Sequence, residues 1–221
     1  MINIQKYVER ESWLVDRCRG KRVLHLGCVG FTDCPVPEKV RLAGHTLHQK
    51  LSAVCDCVGI DLDRTTVEQL QQAGVFRNVR VGDAERLEEF VDVLLPFDLV
   101  VAGDIIEHLS NPGRMLDGAR KLLKPDGSLM VSTPNSFGLP AFLRHLFGTF
   151  REGQQHVLCF NYITLAQMLE RHGYQVTEAH TCHQQTARGS HPLAFKLGIV
   201  LFRMFPRFGG TLQFVAQVGQ S

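Results

Sequence analysis

The chain has seven cysteines, at 18, 28, 34, 55, 57, 159 and 182, but no Cys-x-x-Cys pair. An odd set without paired spacing fits the reduced thiols of a cytosolic protein better than a disulfide framework. Cys55 and Cys57 flank one aspartate at strand spacing and read as small core residues. Basic runs are also missing: 24 Lys+Arg stand against 22 Asp+Glu, a net charge of +2. That balance gives a polyanion nothing to hold, and no zinc-finger or RNA-binding pattern is present, so nucleic acid is not an expected partner. The opening segment MINIQKYVERESWLVDRC lacks the apolar centre of a signal peptide, and a cytoplasmic location is expected. Finally, there is no G-x-G-x-x-G and no Walker lysine: the first glycine turn, RVLHLGCVGF, offers only Gly27 and Gly30.

What is present is an alternation. Short apolar runs occur at 23–27, 57–61, 79–83, 97–103 and 128–134, each bounded by Gly, Asp or Pro. Several are apolar almost throughout, as strands buried on both faces of a parallel sheet are. Helical patterns lie between them at 44–54, 64–73, 85–94 and 112–123. Five strands alternating with four helices predict a doubly wound α/β sheet. Beyond residue 135 the spacing predicts a helix near 138–148 and another ended by Gly173. Strands follow over YQVTEAHT and TLQFVAQV, with residues 190–210 between them. No linker or repeat interrupts the 221 residues, so one domain is expected.

In such sheets ligands bind at the carboxyl ends of the strands. Those ends read Gly27-Cys28-Val29-Gly30, then Asp61, then Gly82-Asp83-Ala84, then Gly103-Asp104, then Thr133-Pro134-Asn135. A glycine turn lets a ligand approach backbone N–H groups. An acid ending the second strand can accept from both hydroxyls of a ribose. Asp83 could accept from an adenine amino group. Together these describe an adenosine-containing cofactor. Asp61 lies 34 residues after Gly27, too far for a dinucleotide loop, so a cofactor without a pyrophosphate fits better.

The motifs VLHLGCVGF, VGIDLD, VGDAERL, FDLVVAGDIIEHLSNPG and LLKPDGSLMVSTPN, in this order over residues 22–135, resemble class I S-adenosylmethionine-dependent methyltransferases. HVLCFNYITLAQMLERHGYQV resembles the segment that follows in the small-molecule branch, which includes ubiquinone-biosynthesis O-methyltransferases and enzymes of bacterial glycan clusters. The resemblance implies a Rossmann-like, doubly wound, seven-stranded sheet, mostly parallel, with an antiparallel last strand and helices on both faces. It implies S-adenosyl-L-methionine as cofactor and a small-molecule or glycan acceptor, methylated at a hydroxyl oxygen. By position, Gly27, Cys28 and Val29 would face the methionine part, Asp61 the ribose diol, and Leu62 the adenine face. Asp83 and Ala84 would meet the adenine edge. Gly103 and Asp104 would lie near the methionine ammonium and the transferred methyl. Residues 1–20 would form an amino-terminal helix, 28–44 an inserted loop, and 136–173 with 184–210 the acceptor-side segments. Two departures stand out: His25 replaces the usual acid and Val29 the usual second glycine. They leave open a protein that binds the cofactor without catalysis, with a nicotinamide oxidoreductase as a further alternative.

Methyl transfer from a sulfonium is an in-line displacement that needs a base only where the acceptor carries a proton. Asp104, Glu107 and His108 fall at i, i+3 and i+4, one face of a helix. His108 is the first candidate base and His156 the second, with Asp104 beside them. The same triad could hold a divalent cation, although acids at a helix start more often serve as caps, and no metal is assigned. His45 and His48 could face the cofactor, whereas His180-Thr-Cys182-His183 reads as structural. The segment 192–205, PLAFKLGIVLFRMF, is apolar nearly all round but too short to span a bilayer. Core packing, a lid or homodimer surface, and a peripheral membrane contact through 192–208 all fit it.

Overall fold

The structure is a computed structural model that describes residues 3–30, 38, 41–42, 44, 46–149, 153, 155–182 and 192–219. In chain order it has strand β1 (Lys6–Tyr7), helix α1 (Arg10–Cys18), β2 (Arg22–Leu26), α2 (Leu47–Ser52), β3 (Asp56–Asp61), α3 (Arg64–Gln72) and β4 (Val79–Val81). A 3-10 helix (Ala84–Phe90), β5 (Phe97–Gly103), a 3-10 turn (Ile106–His108), α4 (Pro112–Leu122) and β6 (Leu123–Pro134) follow. The chain continues through α5 (Leu139–Leu146), α6 (Tyr162–Arg171), β7 (Tyr174–Cys182), α7 (Pro192–Met204), a 3-10 turn (Pro206–Phe208) and β8 (Thr211–Val218). The hydrogen-bonded strand order is β1-β7-β8-β6-β5-β2-β3-β4.

The chain divides into two compact units, one of 14–103 and 111–129, the other of 1–13, 104–110 and 130–221. In the first, β2 runs parallel to β3 and β5, and β3 parallel to β4. Val23, Leu24 and Leu26 are fully buried, as are Val100, Val101 and Ala102. Each such valine or leucine contributes about 1.5–3 kcal/mol, which is why an unbroken apolar strand settles in the middle of a sheet. Helices start where the sequence supplies caps: Thr46 accepts from the Gln49 N–H, and Asp63 from the Thr66 N–H at 3.1 Å. The helix expected over 85–94 is the 3-10 segment, broken at Arg86 (φ −130°, ψ 35°). Gly118 of α4 sits so close to it that an added Cβ would lie 2.7 Å from Leu87 Cβ.

In the second unit, β7 and β8 are antiparallel and β1 pairs parallel with β7 through Lys6↔His180 and Tyr7↔Thr181. The antiparallel last strand is as expected. Among the described residues the count is eight rather than seven, because β1, at two residues, is too short to leave an alternation in the sequence. The amino-terminal helix is correspondingly confined to α1. The expected inserted loop, 28–44, lies largely outside the described residues, as do His45 and residues 183–191.

Candidate active site

In the unit of residues 14–103 and 111–129, β2 ends in Gly27, whose φ of +67° is the left-handed conformation glycine adopts most easily. Its N–H donates to the Ile60 carbonyl at 2.9 Å, tying the turn to β3. One strand over, Asp61 accepts from the Val29 N–H on Oδ2 at 2.9 Å and from the Asp63 N–H on Oδ1 at 3.0 Å. A carboxylate has about four acceptor directions, so Asp61 joins two loops and keeps capacity for a ligand. Leu62 beside it is 70% exposed, an apolar side chain in water at the strand end. Asp83 accepts from the Glu85 N–H at 2.8 Å, and Ala84 is buried. Asp61, Leu62, Asp83 and Gly103 thus stand at strand ends as expected.

Cys28 and Val29 differ from expectation in one respect: their side chains face inward. Both are buried, in a cluster with Val67, Leu70, Phe76 and Val79. Burial pushes the Cys28 thiol well above its usual range. Whatever these residues offer a ligand comes from their backbone, and Val29 is explained by the cluster it fills. His25 is also a core residue. Its Nδ1 lies 3.4 Å from His48 Nδ1, with the rings stacked 5.5 Å apart. His48 further packs edge-on against Phe76, and Cys57 Sγ lies 3.7 Å from its Nδ1. Burial lowers the His48 pKa to about 4, so the imidazole is neutral. The expectation that His48 could face the cofactor is therefore corrected: it is enclosed by aromatic and thiol neighbours. A cavity of 670 Å³ opens at the amino-terminal end of β3, beside His48, Cys55, Asp56 and Arg77, and none of the strand-end residues lines it.

In the other unit, Asp104 is the one non-glycine residue with positive φ, +51°, among the described residues. Its N–H donates to the Ser132 carbonyl at 2.9 Å and its Oδ1 accepts from Ser132 Oγ at 3.0 Å. Its Oδ2 pairs with the Arg10 guanidinium at 3.0 Å, and Arg10 also donates to Ser132 Oγ at 2.9 Å. The helical face expected for Asp104, Glu107 and His108 does not form, because only Ile106–His108 is helical, as a 3-10 turn. Asp104 turns to Arg10 and Ser132, and His156 takes its place beside the other two. Oxygen or nitrogen atoms of Glu107, His108 and His156 lie within 4.8 Å of one another, a set that could hold a metal ion.

Glu107 is 1% exposed. Oε2 accepts from Thr133 Oγ1 at 2.9 Å, while Oε1 has no hydrogen-bond partner and lies 4.0 Å from His156 Nε2. Burial, reinforced by the nearby Asp104 charge, raises its pKa to about 7. The two histidine rings meet edge-on at 4.7 Å. His108 Nδ1 lies 3.2 Å from the Gln155 carbonyl oxygen. A carbonyl only accepts, so Nδ1 carries the proton and Nε2 the lone pair, the tautomer a general base requires. The two candidate bases thus come together, next to a carboxyl poised near neutrality. Arg10 and Ser132 went unnoticed in the sequence, and Thr133 was legible only as part of a strand end: single polar residues in a helix or strand carry no motif.

Comparison with known proteins identifies the family and the fold. The model of a family described as methyltransferase domain matches residues 13–179. Ubiquinone biosynthesis O-methyltransferase of Pseudomonas syringae is 30% identical over 132 residues, 57% of this chain and 50% of that protein. Its counterpart in Coxiella burnetii is 29% identical, covering 59% of this chain and 49% of the relative. The chain thus spans about half the length of these curated relatives. Among solved structures, a methyltransferase from Bacillus halodurans described as putative has a TM-score of 0.62 at 16% identity, over 96% of this chain and 99% of that one. Magnesium protoporphyrin IX methyltransferase of Synechocystis with bound SAH has a TM-score of 0.56 at 17% identity, over 95% and 80%. At these identities the structures bear on the fold alone.

Proposed function

Because the chain belongs to the methyltransferase domain family, we propose that it binds S-adenosylmethionine and transfers the methyl group to a hydroxyl oxygen of a small molecule. The observation that carries this reading is Asp61: a carboxylate at the end of β3, anchored by two N–H groups and retaining acceptor capacity. That is the chemistry a ribose diol needs. The backbone of Gly27, Cys28 and Val29, with Gly103, would approach the methionine part. Leu62 would cover the adenine face, and Asp83 and Ala84 its edge. Arg10 and Asp104 form a charge pair complementary to the carboxylate and ammonium of an amino acid.

The reacting methyl needs no protein nucleophile, so the chain's task is to align the acceptor and remove its proton. His108, with its lone pair on Nε2, is the proposed base. His156 and Glu107 support it: the Glu107 carboxyl, near neutrality in its pKa, could share a proton with His156. Glu107, His108 and His156 could alternatively hold a divalent cation that polarises the hydroxyl. The similarity to ubiquinone biosynthesis O-methyltransferases supports oxygen as the target atom.

Calorimetry with S-adenosylhomocysteine tests the cofactor half. Saturable binding is expected, weakened roughly tenfold to a hundredfold in Asp61→Ala as two ribose hydrogen bonds are lost. Unchanged affinity in the variant would remove the ribose role. Saturable binding of NAD in its place would overturn the reading, and cofactor binding without labelled-methyl transfer to any hydroxylated acceptor would point to a protein that has lost catalysis.

A further inference from the structure

Helix α5 has no buried residue. A short helix normally forms in a protein because it buries an apolar stripe. Here the apolar residues exist but stand in water: Phe142 is 58% and Leu146 63% exposed, with Phe137 and Phe147 on either side at 71% and 73%. The end of α7 repeats the pattern. Phe202 is half-buried against the Tyr7 ring, at 5.5 Å, whereas Val200, Met204 and Phe205 are 55%, 68% and 44% exposed. The start of α5 lies against the turn that follows α7, in one compact unit. Asn135 Nδ2 donates to the Gly209 carbonyl at 2.8 Å, and a Cβ on Gly138, at the cap of α5, would meet that same oxygen at 2.7 Å.

Charge decides what could cover this surface. Residues 135–149 contain no Asp or Glu, and no Asp or Glu follows Glu178. All 22 acids of the chain lie elsewhere, while Arg144, Arg203 and Arg207 stand exposed among the apolar side chains. A second copy meeting this face would oppose like charges. An anionic bilayer supplies both complements: hydrocarbon for the phenylalanines and leucines, and phosphate for the arginines, whose stems can lie along apolar surface.

We infer that α5 and the end of α7 form a docking face for an anionic lipid surface. The inference rests on exposure and charge, independently of methyl transfer. Co-sedimentation of the full chain with vesicles of phosphatidylcholine, with or without phosphatidylglycerol, tests it. Binding is expected to the anionic vesicles and to weaken in high salt. Phe142→Asp with Phe147→Asp should lower it by roughly tenfold or more, and Arg144→Glu with Arg203→Glu by roughly fivefold or more per charge reversed. All four side chains are exposed, and circular dichroism verifies that the variants fold. No vesicle binding would leave the face to a protein partner and overturn the inference. So would binding that either variant leaves unchanged, or dimerisation through the face without vesicle binding. The readout needs no cofactor, so its failure is distinguishable from failure of the methyl-transfer reading.

Discussion

Asp104 is strained at the backbone. A left-handed aspartate costs on the order of 1 kcal/mol, and Asn and Asp tolerate it better than other non-glycine residues. Two hydrogen bonds with Ser132 and the Arg10 pair hold it there. Its position was legible in the sequence because it follows a strand-ending glycine, but its partners were not. Arg10 comes from the amino-terminal helix and Ser132 from a strand 28 residues further on. His108 and His156 show the same limit: each was recognisable as a candidate, but only folding sets their rings 4.7 Å apart. If His108 is the base, His108→Gln should lower kcat for methyl transfer by roughly a hundredfold or more while leaving S-adenosylhomocysteine affinity intact. A kcat unchanged by this substitution would assign proton removal elsewhere, with His156→Gln the next variant to measure.

At the scale of elements, signals survived wherever a local chemical group decided the outcome. Helix α6 begins at a capping box: Asn161 Oδ1 accepts from the Thr164 N–H at 3.1 Å, and Thr164 Oγ1 from the Asn161 N–H at 3.1 Å. It ends before Gly173, at φ +77°. Asn161→Ala should cost about 1 kcal/mol and lower Tm by roughly 2–4 °C in a chain of this size, measured by calorimetry. A smaller shift would mean that packing of Leu165 and Leu169 alone fixes the helix. The 84–90 segment shows the reverse case. Its pattern reads as an α-helix, yet contact with Gly118 and the break at Arg86 leave a 3-10 segment. Tertiary crowding overrode local propensity there. Likewise β1 exists only because β7 offers it an edge.

At the scale of the whole molecule, the shifts of two buried groups, Glu107 and His48, fall in the acid-to-neutral range and run in opposite senses. Glu107 has its folded-state pKa raised to about 7, so the native state holds a proton the unfolded chain releases near 4.5. Its contribution is fully present below that pH and is lost as pH rises through 7. His48 has its pKa lowered from 6.5 to about 4, so its contribution is present above 6.5 and is lost as pH falls through 4. Each spans about 3 kcal/mol, and between about pH 4.5 and 6.5 the slopes nearly cancel. Denaturant unfolding across this range should expose them separately. Glu107→Gln should gain stability with rising pH, and His48→Gln should lose it. Parallel pH profiles for wild type and both variants would refute the assignment. No helix among the described residues is long and apolar enough to cross a membrane, so the lipid contact inferred for α5 and α7 is with a surface.

The sequence alone determined the strand-helix alternation, which residues end each strand and the family. Apolar period, glycine turns and terminal acids are local properties, written in consecutive residues. The tertiary structure decided which lone polar residues became partners. It made His25 and His48 a buried pair and drew Val29 into the core. It gave Asp104 to Arg10 and set Glu107 between Thr133 and His156. These are choices among residues far apart in the chain, fixed by burial and by the need to satisfy polar groups removed from water, and no local pattern encodes them.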